Sequence, residues 1–298
     1  MENAETHAEK NSLMAVEDWL RSQASQEKLS AGGRKVLQTI IGDAQQASYA
    51  SAAEIALQAE VNLSTVVRAA QAMGYPGWPA WREDIRARYI GTLSLPELTN
   101  VHHAETTASE IVDQALSRNL LQLADLRKRL DRDNLVAFAK IFASASRRVI
   151  AASGSYASVG QIFAHHATIA GYRTHLVEDA VMASNTTGDL AEGDVVVALC
   201  FWRIYKSTVT AMREAKTKGA KVCLITDVRR PYLVELADHV IIVPSESTSY
   251  FVSMVPAMAV IECACAELAK LDPDRTENSI SRFEEQWRRY DHLVGDNS

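Results

Sequence analysis

The stretch Asn62–Arg88, NLSTVVRAAQAMGYPGWPAWREDIRAR, decides how the first third of this chain is read. It begins with small polar groups and an arginine, and Val66, Val67, Ala70 and Met73 then recur at the spacing of one buried helical face. Ser64 is a good N-cap for this helix, and Gly74 ends it after Met73. Just upstream, Ser51-Ala-Ala-Glu54 is a capping box: the serine oxygen accepts from the amide three residues on, and the glutamate reaches back. The helix it starts must stop near Ala59 or Glu60, which leaves room only for a turn of three to four residues. Before it, SAGGRKVLQTIIGDAQ places Val36, Leu37, Ile40 and Ile41 on one face of another helix. The pattern from Leu29 to about residue 90 is therefore all-helical, with a helix, a tight turn and a helix at its centre.

In a unit of that shape the second helix docks in the DNA major groove, its first residues against base edges and phosphates. Ser64 and Thr65 are small enough to allow close approach, and Arg68, one turn later, can reach a guanine edge or a phosphate. Arg82, Arg86 and Arg88 follow in WREDIRAR and are expected to line the nucleic-acid backbone. Acidic and basic residues nearly balance between Leu29 and Tyr89, so one copy would grip DNA modestly and a dimer is expected.

Working outward, residues 1–28 are helix-permissive and are expected to form an N-terminal helical arm. Residues 91–107, with Pro96 and the pair His102 and His103, read as an interdomain linker. At 298 residues the chain is long enough for two domains, each with a core. The net charge of −6 argues against blanket polyanion binding and leaves a local basic surface open. No apolar run has the length of a membrane span, and the opening MENAETHAEK lacks the basic and apolar regions of a secretory signal, so a cytoplasmic location is expected. Cys200, Cys223, Cys263 and Cys265 lie in apolar stretches and read as small core residues; no metal set and no cofactor are expected.

Beyond the linker the period changes. ASEIVDQALSRNLLQLADLRKRL and RDNLVAFAKIFASA are helical, after which short β-branched runs alternate with helical segments. The runs are RRVIAAS (147–153), RTHLV (173–177), DVVVALC (194–200), KVCLIT (221–226) and HVIIV (239–243). Five such runs predict an α/β domain over 108–272: a five-stranded parallel sheet in a three-layer αβα arrangement, followed by a C-terminal helix or tail over 273–298. A long apolar helix, YFVSMVPAMAVIECACAELAKL, closes it.

Ligands of open parallel sheets bind at the carboxyl ends of the strands. Three loops there carry anion-friendly groups. The first offers Gly154, Ser155, Tyr156 and Ser158; the second Arg203, Tyr205, Lys206 and Ser207; the third Glu246 and Ser247. Glycine lets a backbone approach, helix amides attract an anion, and an arginine fork binds carboxylate or phosphate alike.

Taken together, AAEIALQAEVNLSTVVRAAQAMGYPGWPAWREDIR, SGSYAS, LCFWRIYKSTV and ITDVRRPYLVELADHVIIVPSES resemble the RpiR-type bacterial regulators over residues 29 to 270. In that family a helix-turn-helix domain precedes a SIS (sugar isomerase) phosphosugar-binding domain. The resemblance implies a transcriptional regulator of carbohydrate metabolism genes, a homodimer or homotetramer, that binds double-stranded operator DNA under the control of an anionic sugar effector. The loop after the third strand departs from the family's Ser-x-Ser-Gly-x-Thr, so a sugar acid or polyol derivative is admitted beside a phosphosugar. The rival reading is an aldose-ketose phosphate isomerase, for which Glu178, His165 and His166 are the acid/base candidates.

Overall fold

The computed structural model describes residues 16–26, 29–92, 111–248 and 251–294, which fall into a helical unit and an α/β unit. The helical unit contains α1 (Val16–Gln26), α2 (Ala31–Gly42), α3 (Ala44–Ala47), α4 (Ala52–Gln58), α5 (Leu63–Ala72) and α6 (Trp78–Thr92). Three of its helices, α2, α3 and α4, start where a side chain accepts from a first-turn amide. Ser30 accepts from the Gly33 amide at 3.0 Å, and the expected capping box is formed in both directions by Ser51 and Glu54. α4 ends in a Schellman turn, with Val61 N–H donating to Ala56 C=O at 2.9 Å and Glu60, not a glycine, in the left-handed region at φ +52°.

That turn corrects the expected start of α5. The chain leaves it extended at Asn62, so Asn62 is the N-cap and the helix begins at Leu63, with Ser64 already inside it. Its other end is as expected: Gly74 sits at φ +85°, and Tyr75 N–H donates to Ala70 C=O at 3.0 Å.

The core of this unit gathers Val36, Ile40, Ile55, Val66, Ala70, Trp81 and Ile85, all fully buried. Trp78 meets Trp81 edge to face and donates its indole N–H to Ala50 C=O at 3.0 Å. Each such indole removes roughly 200 Å² from water, worth about 5 kcal/mol as an upper figure. Val16, Trp19 and Leu20 of α1 are buried in the same core, so residues 16–26 belong to the unit and are not a separate arm. Arg88 is also internal. Its guanidinium lies 3.9 Å from the Trp19 ring centre and pairs with Asp84 at 3.1 Å, while Tyr75 donates its hydroxyl to the other Asp84 oxygen. Burial, then the Asp84 charge, pushes the Tyr75 phenol far above its usual range. Arg88 is therefore removed from the expected DNA-facing set.

The α/β unit runs α7 (Ile111–Arg129), α8 (Arg132–Ser144), β1 (Arg148–Ala151), α9 (Ser155–Ile169), β2 (His175–Val177), α10 (Ala180–Gly188), β3 (Val195–Cys200), α11 (Lys206–Thr217), β4 (Lys221–Thr226), α12 (Pro231–Val234), β5 (His239–Ile242), α13 (Val255–Leu271) and α14 (Pro273–Arg289). All pairings are parallel, in the order β2-β1-β3-β4-β5, with Ile150 level with Leu176 on one side and Val197 on the other. Alternation sorts the central strands by face. Val195, Val197, Leu199, Cys223, Ile225 and Ile241 join a core with Phe138, Phe142, Phe163, Val260 and Ile261 from α8, α9 and α13. Val196, Ala198, Val222 and Leu224 alternate with them and serve the side on which α11 packs, with buried Val209, Ala211, Met212 and Ala215. Helices on both faces explain why the strands read as unbroken apolar runs.

Asp272 caps α14 through the Arg275 amide at 3.0 Å, and the expected C-terminal helix is present. Cys200 and Cys223 are buried and Cys265 half-buried, as expected; Cys263 is exposed, contrary to the core reading. Burial, with Asp238 second, pushes the Cys223 thiol up to about 12. Residues 93–107 of the expected linker, His102 and His103 among them, lie outside the described residues.

Candidate functional site

The start of α5 is open to solvent: Asn62, Leu63, Ser64 and Arg68 are exposed, and Asn62 places no side-chain cap on the helix amides. Arg68 folds back along the helix, its Nε donating to Ser64 C=O at 3.3 Å, which aims its guanidinium toward the helix start. Thr65 is half-buried, and a Cβ built on Gly32 of α2 would meet its methyl carbon at 2.8 Å. Thr65 thus seats α5 on α2 through its methyl, which sequence spacing alone does not distinguish from a base-facing hydroxyl. On α6, Arg82 is half-exposed, and the Arg86 guanidinium lies 4.4 Å from the centre of the Tyr49 ring.

In the α/β unit the strand order reverses between β1 and β3, whose carboxyl ends lead into α9 and α11. Neither helix has a side-chain cap: the N-cap residues are Gly154 and Tyr205. Their first amides are therefore open to an external acceptor, strengthened by the helix dipole. Gly154 holds φ +62° and ψ −140°, a backbone shape that only glycine adopts readily. A Cβ there would lie 2.9 Å from Tyr205 Cζ and overlap the phenol oxygen, so the Tyr205 ring rests directly on the start of α9. Tyr156 is buried and structural. Its hydroxyl donates to Phe201 C=O and accepts from the Arg203 N–H, both at 3.2 Å, tying the second loop to the first.

Two further residues of this edge, Ser153 and Asp227, lie in the family-like segments but are not among the expected ligand contacts. Ser153, at the end of β1, donates to Glu178 C=O at 2.9 Å and lies 3.1 Å from Ser207 Oγ. Since Ser153 spends its hydrogen on Glu178, Ser207 donates to Ser153. Asp227, after β4, accepts from the Trp202 amide at 2.8 Å and the Ser245 hydroxyl at 3.1 Å, joining the loops of β3, β4 and β5. Of the remaining predicted residues, Ser155 and Ser158 are exposed on α9, Lys206 is exposed at the first position of α11, and Ser247 is half-buried. The Glu246 carboxylate pairs with Arg118 of α7 at 3.0 Å, and its carbonyl accepts from Gln122.

The isomerase candidates are not brought together. His165 and His166 lie exposed toward the far end of α9, about 16 Å from its start at the helical rise. Glu178 is exposed. Among the described residues no helix is long and apolar enough to cross a membrane, and no group of three His, Cys, Asp or Glu could hold a metal ion.

Two family models match in tandem: the rpiR-family helix-turn-helix domain over residues 14–89 and the SIS domain over 141–266. The transcriptional regulator HexR of Escherichia coli is 24% identical over 243 residues, covering 80% of this chain and 81% of its own. An uncharacterized helix-turn-helix regulator of Clostridium perfringens is 21% identical over 252 residues, covering 82% and 88%. Among solved structures, Vibrio vulnificus NanR complexed with ManNAc-6P aligns over 94% of this chain and 100% of its own, with TM-score 0.58 and 19% identity. The sugar isomerase domain of an RpiR factor from Sphaerobacter thermophilus aligns over 59% and 99%, with TM-score 0.57 and 20% identity. The solved structures establish the fold, and the tandem models, in the order expected from the sequence, give the assignment: this chain belongs to the RpiR family of transcriptional regulators, a helix-turn-helix domain followed by a SIS domain.

Proposed function

We propose that this regulator controls carbohydrate metabolism genes, and that an anionic sugar derivative, a sugar phosphate or a sugar acid, sets its grip on operator DNA from the carboxyl ends of β1 and β3. The observation that carries the effector site is the pair of helix starts without side-chain caps, α9 and α11, at the reversal of strand order beside Arg203 and Lys206. An anion there would accept from helix amides and two cationic side chains at once. The bound NanR relative, a complex with ManNAc-6P, supports a phosphosugar as the first compound to try. On the DNA side, Ser64 and Arg68 are the readers, with Arg82 and Arg86 toward the backbone. The effector acts without catalysis, by binding unequally to two placements of the DNA heads in a cytoplasmic oligomer.

The test is fluorescence anisotropy of the full chain on its own upstream DNA, titrated with and without a panel of sugar phosphates and sugar acids. Salt-dependent binding that one compound changes is the expected result. Unchanged binding across the panel would separate DNA recognition from the proposed effector site. Turnover of any sugar phosphate would replace this reading with the isomerase.

A further inference from the structure

Helix α7 presents an apolar seam that its own unit does not cover. Gln122 and Leu126 are buried against the unit, whereas Leu116 and Leu120 are 60% and 68% exposed. At 100° per residue, Asp113, Leu116, Leu120, Ala124 and Arg127 fall on one side of the helix, and all five are exposed. The neighbouring Val112 and Leu121 are also exposed and widen its apolar part, and contiguous apolar patches of this kind often mark interaction sites.

The order of residues along this seam selects its partner. Leu120 is its midpoint: Leu116 and Ala124 stand four residues to either side, and Asp113 and Arg127 seven to either side. Laid antiparallel on a copy of itself with Leu120 on the two-fold axis, the seam places Leu116 opposite Ala124 and Asp113 opposite Arg127, at both ends. A closed two-fold contact requires such self-complementarity, in which residue i meets j and j meets i. Parallel pairing would instead oppose like charges.

We infer that a second copy of this chain docks on α7 in antiparallel fashion, with Leu120 on the two-fold axis. This holds whatever ligand occupies the sheet edge, and it assigns the surface of self-association rather than its mere existence. It also places the interface on the helix whose Arg118 and Gln122 hold the loop after β5.

The experiment is sedimentation equilibrium on the full chain, with thermal melting as the check on folding. Leu116→Glu with Leu120→Glu should weaken self-association by about a hundredfold, because charge enters the centre of the seam, and should leave the melt unchanged since both side chains are exposed. Asp113→Arg and Arg127→Asp should each weaken it, and the two together should restore it. Leu120→Cys should form a covalent dimer on oxidation, well above the background of the native chain with its exposed Cys263. A monomeric native chain, a double glutamate variant that associates like the native one, charge reversals that fail to rescue each other, or a Leu120→Cys chain that crosslinks no more than native would each overturn the assignment.

Discussion

The start of α5 and the start of α9 are both helix N-termini without a side-chain cap, yet they are finished differently. α2, α4, α8, α10 and α14 are capped by Ser30, Ser51, Asp131, Asp179 and Asp272, which accept from first-turn amides. α5 begins at an exposed Asn62 with solvent in front of it. α9 begins under the Tyr205 ring. Open amides are tolerable where water or a ligand can take them. The start of α5 thus faces solvent alone, whereas the start of α9 has the Tyr205 ring resting against its N-cap glycine.

The sharpest way to break the sheet-edge half of this comparison is Gly154→Ala. It forces a Cβ into the Tyr205 ring at a backbone shape that costs about 1–3 kcal/mol for other residues, so the effector response should vanish and the melting temperature fall. A variant with native response would show that the start of α9 is not the site. On the other surface, Arg68→Ala should cut operator affinity by about 5- to 150-fold, the loss of about 1–3 kcal/mol expected for one base contact, with the fold intact. Affinity unchanged at matched salt would take Arg68 out of the interface. Arg203→Ala tests the independence of the two surfaces: effector affinity should drop about tenfold or more, as for a lost charged hydrogen bond, while DNA binding without effector stays native.

The smallest expected effects sharpen the cap contrast itself. Ser51→Ala should cost about 1 kcal/mol in urea unfolding, and Asn62→Ala close to nothing, since only the first side chain bonds to helix amides. The capping box also sets a pH dependence. Bonds from the Ser51 amide and hydroxyl hold the Glu54 carboxyl below its usual range. A depressed folded pKa contributes stability that is present above the unfolded value and lost as pH falls through the folded one. The gap between native and Ser51→Ala chains should accordingly narrow in acid and be constant above neutrality.

Local chemistry made most of the fold readable from sequence. The strand Lys221–Thr226 and the box Ser51–Glu54 are encoded within six residues, and both are found where the pattern puts them. The start of α5 was displaced because a glutamate takes the left-handed turn position that sequence rules reserve for glycine, so nothing in the string marks where the turn ends. Sites were less legible because their partners are remote. Glu246 meets Arg118 from 128 residues away, and Ser153 meets Ser207 across 54. Asp227 shows in the sequence as part of a family-like segment, yet its work of joining three loops follows only from the sheet order.

Arg88 on Trp19 bears on how the DNA-binding half could be produced by itself. A fragment cut at residue 29, where the helix-turn-helix pattern starts, would delete the ring that covers this guanidinium and the side chains of Val16 and Leu20. The exposed wound would be apolar, and a weak or aggregating fragment could be mistaken for a domain unable to bind DNA. The boundary that preserves the core lies before Val16.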